Sequence, residues 1–129
     1  MYNTFKNWLN NNTTLSAKSI SNYGGALNKI TRDLITENLI SESLEEIKTA
    51  EQVQETKKKY FAIDTYKKQD LKAKNMYNAG FNKYILFRES TEKKQAAENW
   101  FNDKIEVLSS NEETSKQLKN VLKKRFLNS

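Results

Sequence analysis

Between Ser16 and Ile35 the apolar residues Ile20, Tyr23, Leu27, Ile30 and Leu34 follow one another at steps of 3, 4, 3 and 4. That spacing puts all five on one stripe of an α-helix, whereas a strand would need alternation every second residue. The seam also spans two adjacent glycines, Gly24 and Gly25. Each interior glycine costs a helix roughly 1 kcal/mol relative to alanine. The pair must therefore either break the helix or serve a close approach that a side chain would block, most simply by a packed helix and alternatively by a phosphate backbone. The helix is expected to continue through the pair, with room for a kink there.

The same period organises the rest of the chain. Tyr2, Phe5, Trp8 and Leu9 make the stripe of a short first helix that ends in the polar run Asn10–Thr14, with Trp8 as a core anchor. Ser16 is placed to cap the second helix by accepting from the backbone N–H of residue 18 or 19. Thr36–Lys48 is an acidic connector tacked down by Leu39, Ile40, Leu44 and Ile47. Thr49 and Gln52 form a capping-box pair that opens a third helix through Val53, Lys57, Tyr60 and Phe61. A fourth helix is expected from about Gln69 to Glu89, with Leu71, Met76, Tyr77, Phe81, Tyr84, Ile85 and Phe87 as its apolar content and a central position. A fifth spans Glu92–Leu108 on Ala97, Trp100, Phe101, Ile105 and Leu108. A sixth opens at Ser110-x-x-Glu113 and runs on Leu118, Val121, Leu122 and Phe126. With no proline and 3 glycines in 129 residues, a turn-rich sheet is not built. The expected fold is all-α, a compact bundle of five or six helices, with residues 1–89 as one module and residues 90–129 as a two-helix extension packed on it.

The chain has neither cysteine nor histidine. Disulfides, thiolate or imidazole metal sites, Ser-His triads and histidine general bases are thereby excluded. The carboxylates fall at helix starts and surface positions where they stay ionised, and Glu55-Thr56-Lys57, a fragment of a nuclease E-x-K element, lies in a helical segment. There is no phosphate loop and no dinucleotide fingerprint. No enzyme activity, cofactor or metal is expected. The N-terminus lacks a basic-then-apolar leader pattern and no apolar run approaches the ~18 residues that span a bilayer, so a cytoplasmic protein without membrane contact is expected.

Charge points to a partner. The net charge is +6, and residues 49–89 hold 9 basic against 5 acidic groups, compared with 5 and 5 in residues 1–48 and 8 and 6 in residues 90–129. A polyanion suits such a middle third, because neutralising phosphates releases counterions whatever the base sequence. The run Lys57–Lys59 is followed by Lys67, Lys68, Lys72 and Lys74. Lys68, Lys72, Asn75, Asn78 and Asn82 recur at helical intervals, so the fourth helix is expected to present them on one polar face. Lysine suits phosphate, and asparagine suits phosphate or an adenine edge. A second candidate is the start of the second helix, where Lys18, Ser19 and Asn22 lie beside orphan N–H groups that favour a phosphate. The competing class is a protein-binding module or inhibitor that uses an exposed aromatic helix face, for example at Tyr2 or Trp100.

The segments "NWLNNNTTLSAKSISNYGGALNKI", "SLEEIKTAEQVQE" and "NMYNAGFNKYILF" together resemble an N-terminal helical module of bacterial restriction endonucleases, of the modified-cytosine (McrB-type) class and of HNH-nuclease proteins. The shared pattern is a leading W/F-L, a capped S-x-x-[ST]-[IV]-x-x-Y-x-x-[AG]-[IL] helix, an L-x-x-I connector and N-x-[MY]-[YS]-x-[AG]-[LF]-x-x-Y, from which this chain departs at Asn78 in the [YS] position. It covers about Phe5 to Phe87. The capped helix is also similar to the core-binding helical domain of tyrosine recombinases. The resemblance implies double-stranded DNA as partner, with the Ser16–Asn22 turn and the Asn75–Asn82 helix at or near it. It also implies a helix crossing at Gly25–Ala26, a restriction or phage-defence setting, and a nuclease or GTPase subunit as further partner. This chain departs from the family in having no phosphate loop and no histidine for an HNH metal site. That implies a separated or repurposed recognition module without cleavage.

Overall fold

The computed structural model describes residues 1–108, with side chains through Ile105. The expected sixth helix lies outside these residues. The chain divides into two compact units, Met1–Glu89 and Ser90–Ser129. Among the described residues the fold is all-α, with α1 (Asn3–Asn12), α2 (Ala17–Thr36), a 3₁₀ turn (Leu44–Glu46), α3 (Ala50–Ala62), α4 (Asp64–Lys72) and α5 (Met76–Leu108). No helix here is long and apolar enough to cross a membrane.

The first unit is built around the seam of α2. Leu27, Ile30 and Leu34 are completely buried, against Leu9 and Phe5 of α1, Val53 and Tyr60 of α3, and Phe81 and Tyr84 of α5. Burying each such side chain contributes roughly 1.5–3 kcal/mol, which makes this seam the main source of stability. The Tyr84 ring meets Tyr2 at 5.5 Å and Phe5 at 5.4 Å, both edge-on. Trp8 is half-buried, its ring 5.7 Å from Phe87, so its anchoring role holds.

The two glycines have different surroundings. A Cβ on Gly24 would lie 2.8 Å from the Lys6 side chain of α1, while one on Gly25 would meet nothing within 4 Å. The only obstacle at Gly24 is the flexible Lys6 stem, which can swing aside, and Gly25 faces open space, so neither position has a backbone approach that demands glycine. The crossing is made by Ala26, whose Cβ would be 3.5 Å from a Cβ at Gly80 of α5. The expected crossing at Gly25–Ala26 thus belongs to Ala26 alone.

Caps set the helix starts as their sequence signals indicate. Ser16 Oγ accepts from Ser19 N–H at 3.1 Å. Thr49 and Gln52 exchange both capping-box bonds. The connector is held by three hydrogen bonds from two side chains: Leu44 N–H donates to Tyr2 Oη at 3.0 Å, and Arg88 donates to the carbonyls of Leu44 and Ile47. Thr31 Oγ1 gives its proton to Leu27 C=O at 2.7 Å, so the 2.5 Å contact between Tyr2 Oη and Thr31 Oγ1 runs with Tyr2 as donor. Tyr2 is consequently 2% exposed, which removes it as an exposed aromatic for partner binding.

The largest departure from expectation lies between Gln69 and Leu108. In place of one helix from Gln69 to Glu89 and another from Glu92, α4 ends at Lys72 and α5 then runs unbroken from Met76 to Leu108. Ala73 is the C-cap of α4, and Lys74 and Asn75 take positive φ of 54° and 65°. Lys74 N–H donates to Leu71 C=O at 3.2 Å and Asn75 N–H to Asp70 C=O at 2.8 Å, a Schellman closure without glycine. Asp70 then starts α5 from the other side, its Oδ1 accepting from Asn78 N–H at 3.0 Å.

In the second unit, residues 90–96 of α5 are all exposed, Ile105 is buried and Trp100 is exposed.

Candidate nucleic-acid interface

The break at residues 73–75 redistributes the expected polar face. Lys68 and Lys72 lie on α4, Asn75 in the left-handed turn, and Asn78 and Asn82 on α5. They do not share one helix. Lys67, Lys68 and Lys72 are exposed, and Lys68 Nζ pairs with Asp64 Oδ2 at 2.9 Å in the open. An open concavity of about 460 Å³ is lined by Lys68 and Lys72 with Asp64, Thr65 and Gln69.

Asn78 and Asn82 are engaged elsewhere. Lys57 Nζ of α3 donates to Asn82 Oδ1 at 2.5 Å, and Asn82 Nδ2 donates to Asn78 Oδ1 at 3.1 Å. Burial lowers the pKa of Lys57, with the charge of Asp70 opposing it. The Lys57–Asn82 bond links α3 to α5, and Asn78 Oδ1 supports Asn82 from one turn away on α5. Lys57, picked out in the sequence only as part of a lysine run, is half-buried.

On α2, Lys18 and Asn22 are exposed. Ser19 is half-buried, its N–H bonded to Ser16 Oγ and its Oγ accepting from the Ser16 hydroxyl at 3.1 Å. Of the three residues expected there, two present free side chains. The nearby concavity, about 290 Å³, is lined instead by Lys6, Asn7, Asn10, Ala17, Ile20 and Ser21.

Asp70 and Leu71 exchange the positions that hydropathy would give them. Along α4 the inward positions are Ile63, Tyr66 and Asp70, and the outward ones Lys67, Lys68, Leu71 and Lys72. Asp70 is 5% exposed and Leu71 63% exposed, the reverse of what hydropathy assigns. The pattern did hold a signal, since Leu71 shares its helical face with Lys67 and Lys68 at intervals of four and three.

No family model, no curated protein and no solved structure matches this chain. Among the described residues no three His, Cys, Asp or Glu side chains group to hold a metal ion.

Proposed function

We propose that the chain is a non-catalytic double-stranded DNA-binding module whose contacts are mainly to phosphates. The observation that carries this reading is the disposition of charge on α4. Its lysines, Lys67, Lys68 and Lys72, all face solvent, while Asp70 is turned inward to start α5. The outer surface is therefore more basic than the sequence count suggests. The Lys68–Asp64 pair is solvent-exposed, and such pairs contribute about 0–1 kcal/mol, so a phosphate can displace the carboxylate. Asn75 adds an exposed amide beside the lysines, and Lys18 and Asn22 at the start of α2 offer a second contact. Asn78 and Ser19 act behind these surfaces, by holding α5 and the α2 cap. A restriction or phage-defence role, with a nuclease or GTPase subunit supplying chemistry, follows from the resemblance alone and belongs to this proposal.

The test is fluorescence-anisotropy binding to a labelled 25-bp duplex across a salt series. With about five phosphates engaged, log K falls against log salt with a slope of about −4 to −5, and Lys68→Glu with Lys72→Glu flattens it by about 2. No binding at low salt sinks the reading.

A second reading, a protein-interaction module, is favoured by one observation. Trp100 is 56% exposed, lies edge-on to Phe101 at 5.1 Å and has Lys104 Nζ 5.9 Å from its ring centre. Large exposed aromatics are enriched at interfaces. Trp100→Ala would abolish partner capture and leave duplex binding unchanged.

A further inference from the structure

We infer that the α4–α5 turn is a base-contacting tip, in which Leu71 packs on thymine methyl groups in the major groove and Lys74 holds the adjacent phosphate. The inference rests on the DNA reading above and assigns roles to two residues outside its contact set.

Three observations converge on this turn. Leu71 is 63% exposed and its neighbours on the same face are Lys67 and Lys68, with Lys72 and Lys74 following. An exposed leucine that shares its helix face with two exposed lysines suits a ligand that alternates anionic and apolar surface, as the edge of a duplex groove does. Lys74 and Asn75 occupy successive left-handed backbone positions where glycine would be unstrained. Asparagine tolerates this region and lysine does so poorly, so the strain falls on Lys74, and its retention at an exposed site points to a role outside folding. The turn also lacks the usual apolar clasp of a Schellman closure, since its two clasp positions are Asp70 and Asn75. The nearest leucine points outward instead. Asn75 completes the tip with an amide that suits an adenine edge, the partner base of thymine.

An anionic membrane also presents charge over an apolar layer. Two features favour the duplex. One leucine is a small apolar element compared with the broad face of membrane-surface helices, and Asn75 has the chemistry of a base edge.

The experiment measures wild type, Leu71→Ala and Lys74→Gly on an A·T-rich 25-bp duplex and on the same duplex with every thymine replaced by uracil, which removes only the C5 methyl. Wild type is expected to bind the uracil duplex about fourfold more weakly, the effect of one buried methyl. Leu71→Ala binds both duplexes equally, with an unchanged salt slope. Lys74→Gly raises the melting temperature by about 4 °C, because it relieves the left-handed lysine, yet weakens binding and reduces the salt slope by about 0.9. Equal binding of the two duplexes by wild type, or a Lys74→Gly protein with wild-type affinity and slope, overturns the tip while a steep wild-type slope leaves the phosphate reading standing. A flat salt series removes both. Leu71-dependent binding to phosphatidylserine vesicles in preference to duplex overturns the tip in favour of a membrane.

Discussion

The ends of α2 and α4 close with the same hydrogen-bond pattern and lead to opposite surfaces. At the first, Asn38 takes φ 59°, its N–H donates to Ile35 C=O at 3.0 Å, and Leu39 N–H donates to Leu34 C=O at 2.9 Å. Leu34 is fully buried and Leu39 packs against the core, so the closure is clasped by apolar contact. At the second, Lys74 takes the left-handed position and the clasp positions hold Asp70 and Asn75. Asparagine tolerates that backbone region and lysine does so poorly. One end spends its side chains on stability, and the other holds lysine, asparagine and an exposed leucine toward solvent. An identical hydrogen-bond pattern therefore says little about purpose; the side chains at the closing positions do.

Alkaline pH should break the first end most severely. Tyr66 donates to Glu37 at 3.0 Å and Tyr60 to Asp33 at 2.7 Å, tying the last turns of α2 to α4 and α3. Burial, then the hydrogen bond to Glu37, pushes Tyr66 up to about 12. Burial likewise raises Tyr84 to about 12, against the lowering influence of Arg88. Tyr60 is raised by burial and then by Asp33, and Tyr2 by burial. Above pH 10 the unfolded chain releases these protons while the folded chain keeps them, so unfolding is favoured as pH rises. The stabilisation is complete below pH 10 and lost through pH 12. Urea midpoints should be level from pH 8 to 9.5 and fall steeply beyond; a level midpoint to pH 11.5 would contradict these assignments.

Leu34→Ala is the next largest effect, a loss of about 2–5 kcal/mol for a fully buried leucine. Leu71→Ala, the same chemical change at the other end, should stay within about 0.5 kcal/mol. Equal losses in chemical denaturation would mean that Leu71 is packed after all. Tyr60→Phe leaves Asp33 with Lys29, 2.5 Å away, and should cost about 1–3 kcal/mol by depriving a buried carboxylate of one donor. The smallest effects separate the two helix ends: Lys74→Gly should stabilise by about 1 kcal/mol and Asn38→Gly by less, because asparagine is already tolerated there. Reversal of that order in thermal melts would remove the argument from strain at the α4 end.

Much of the helical plan was legible in the sequence because its determinants are local. The seam of α2, the Ser16 cap, the Thr49–Gln52 box and the tacked connector all depend on residues a few positions apart, and each appears as read. The lysines of α4 were legible as a basic cluster for the same reason. What the sequence could not show was the break after Lys72. Between Gln69 and Glu89 there is no proline, and the one glycine, Gly80, lies in the α5 crossing, so every local signal favours a continuous helix. Leu71, counted among the apolar residues of the expected fourth helix, faces solvent instead.

The chain by itself thus determined an all-helical fold, most helix starts and a basic middle third, since propensity, capping and period act within a turn or two. Tertiary structure decided where α4 ends and what its surface presents. The burial of Tyr66, the turn of Asp70 toward Asn78, and the reach of Lys57 across to Asn82 accompany the backbone break at Ala73–Asn75. Those contacts join separate helices, and no window of sequence holds all of them.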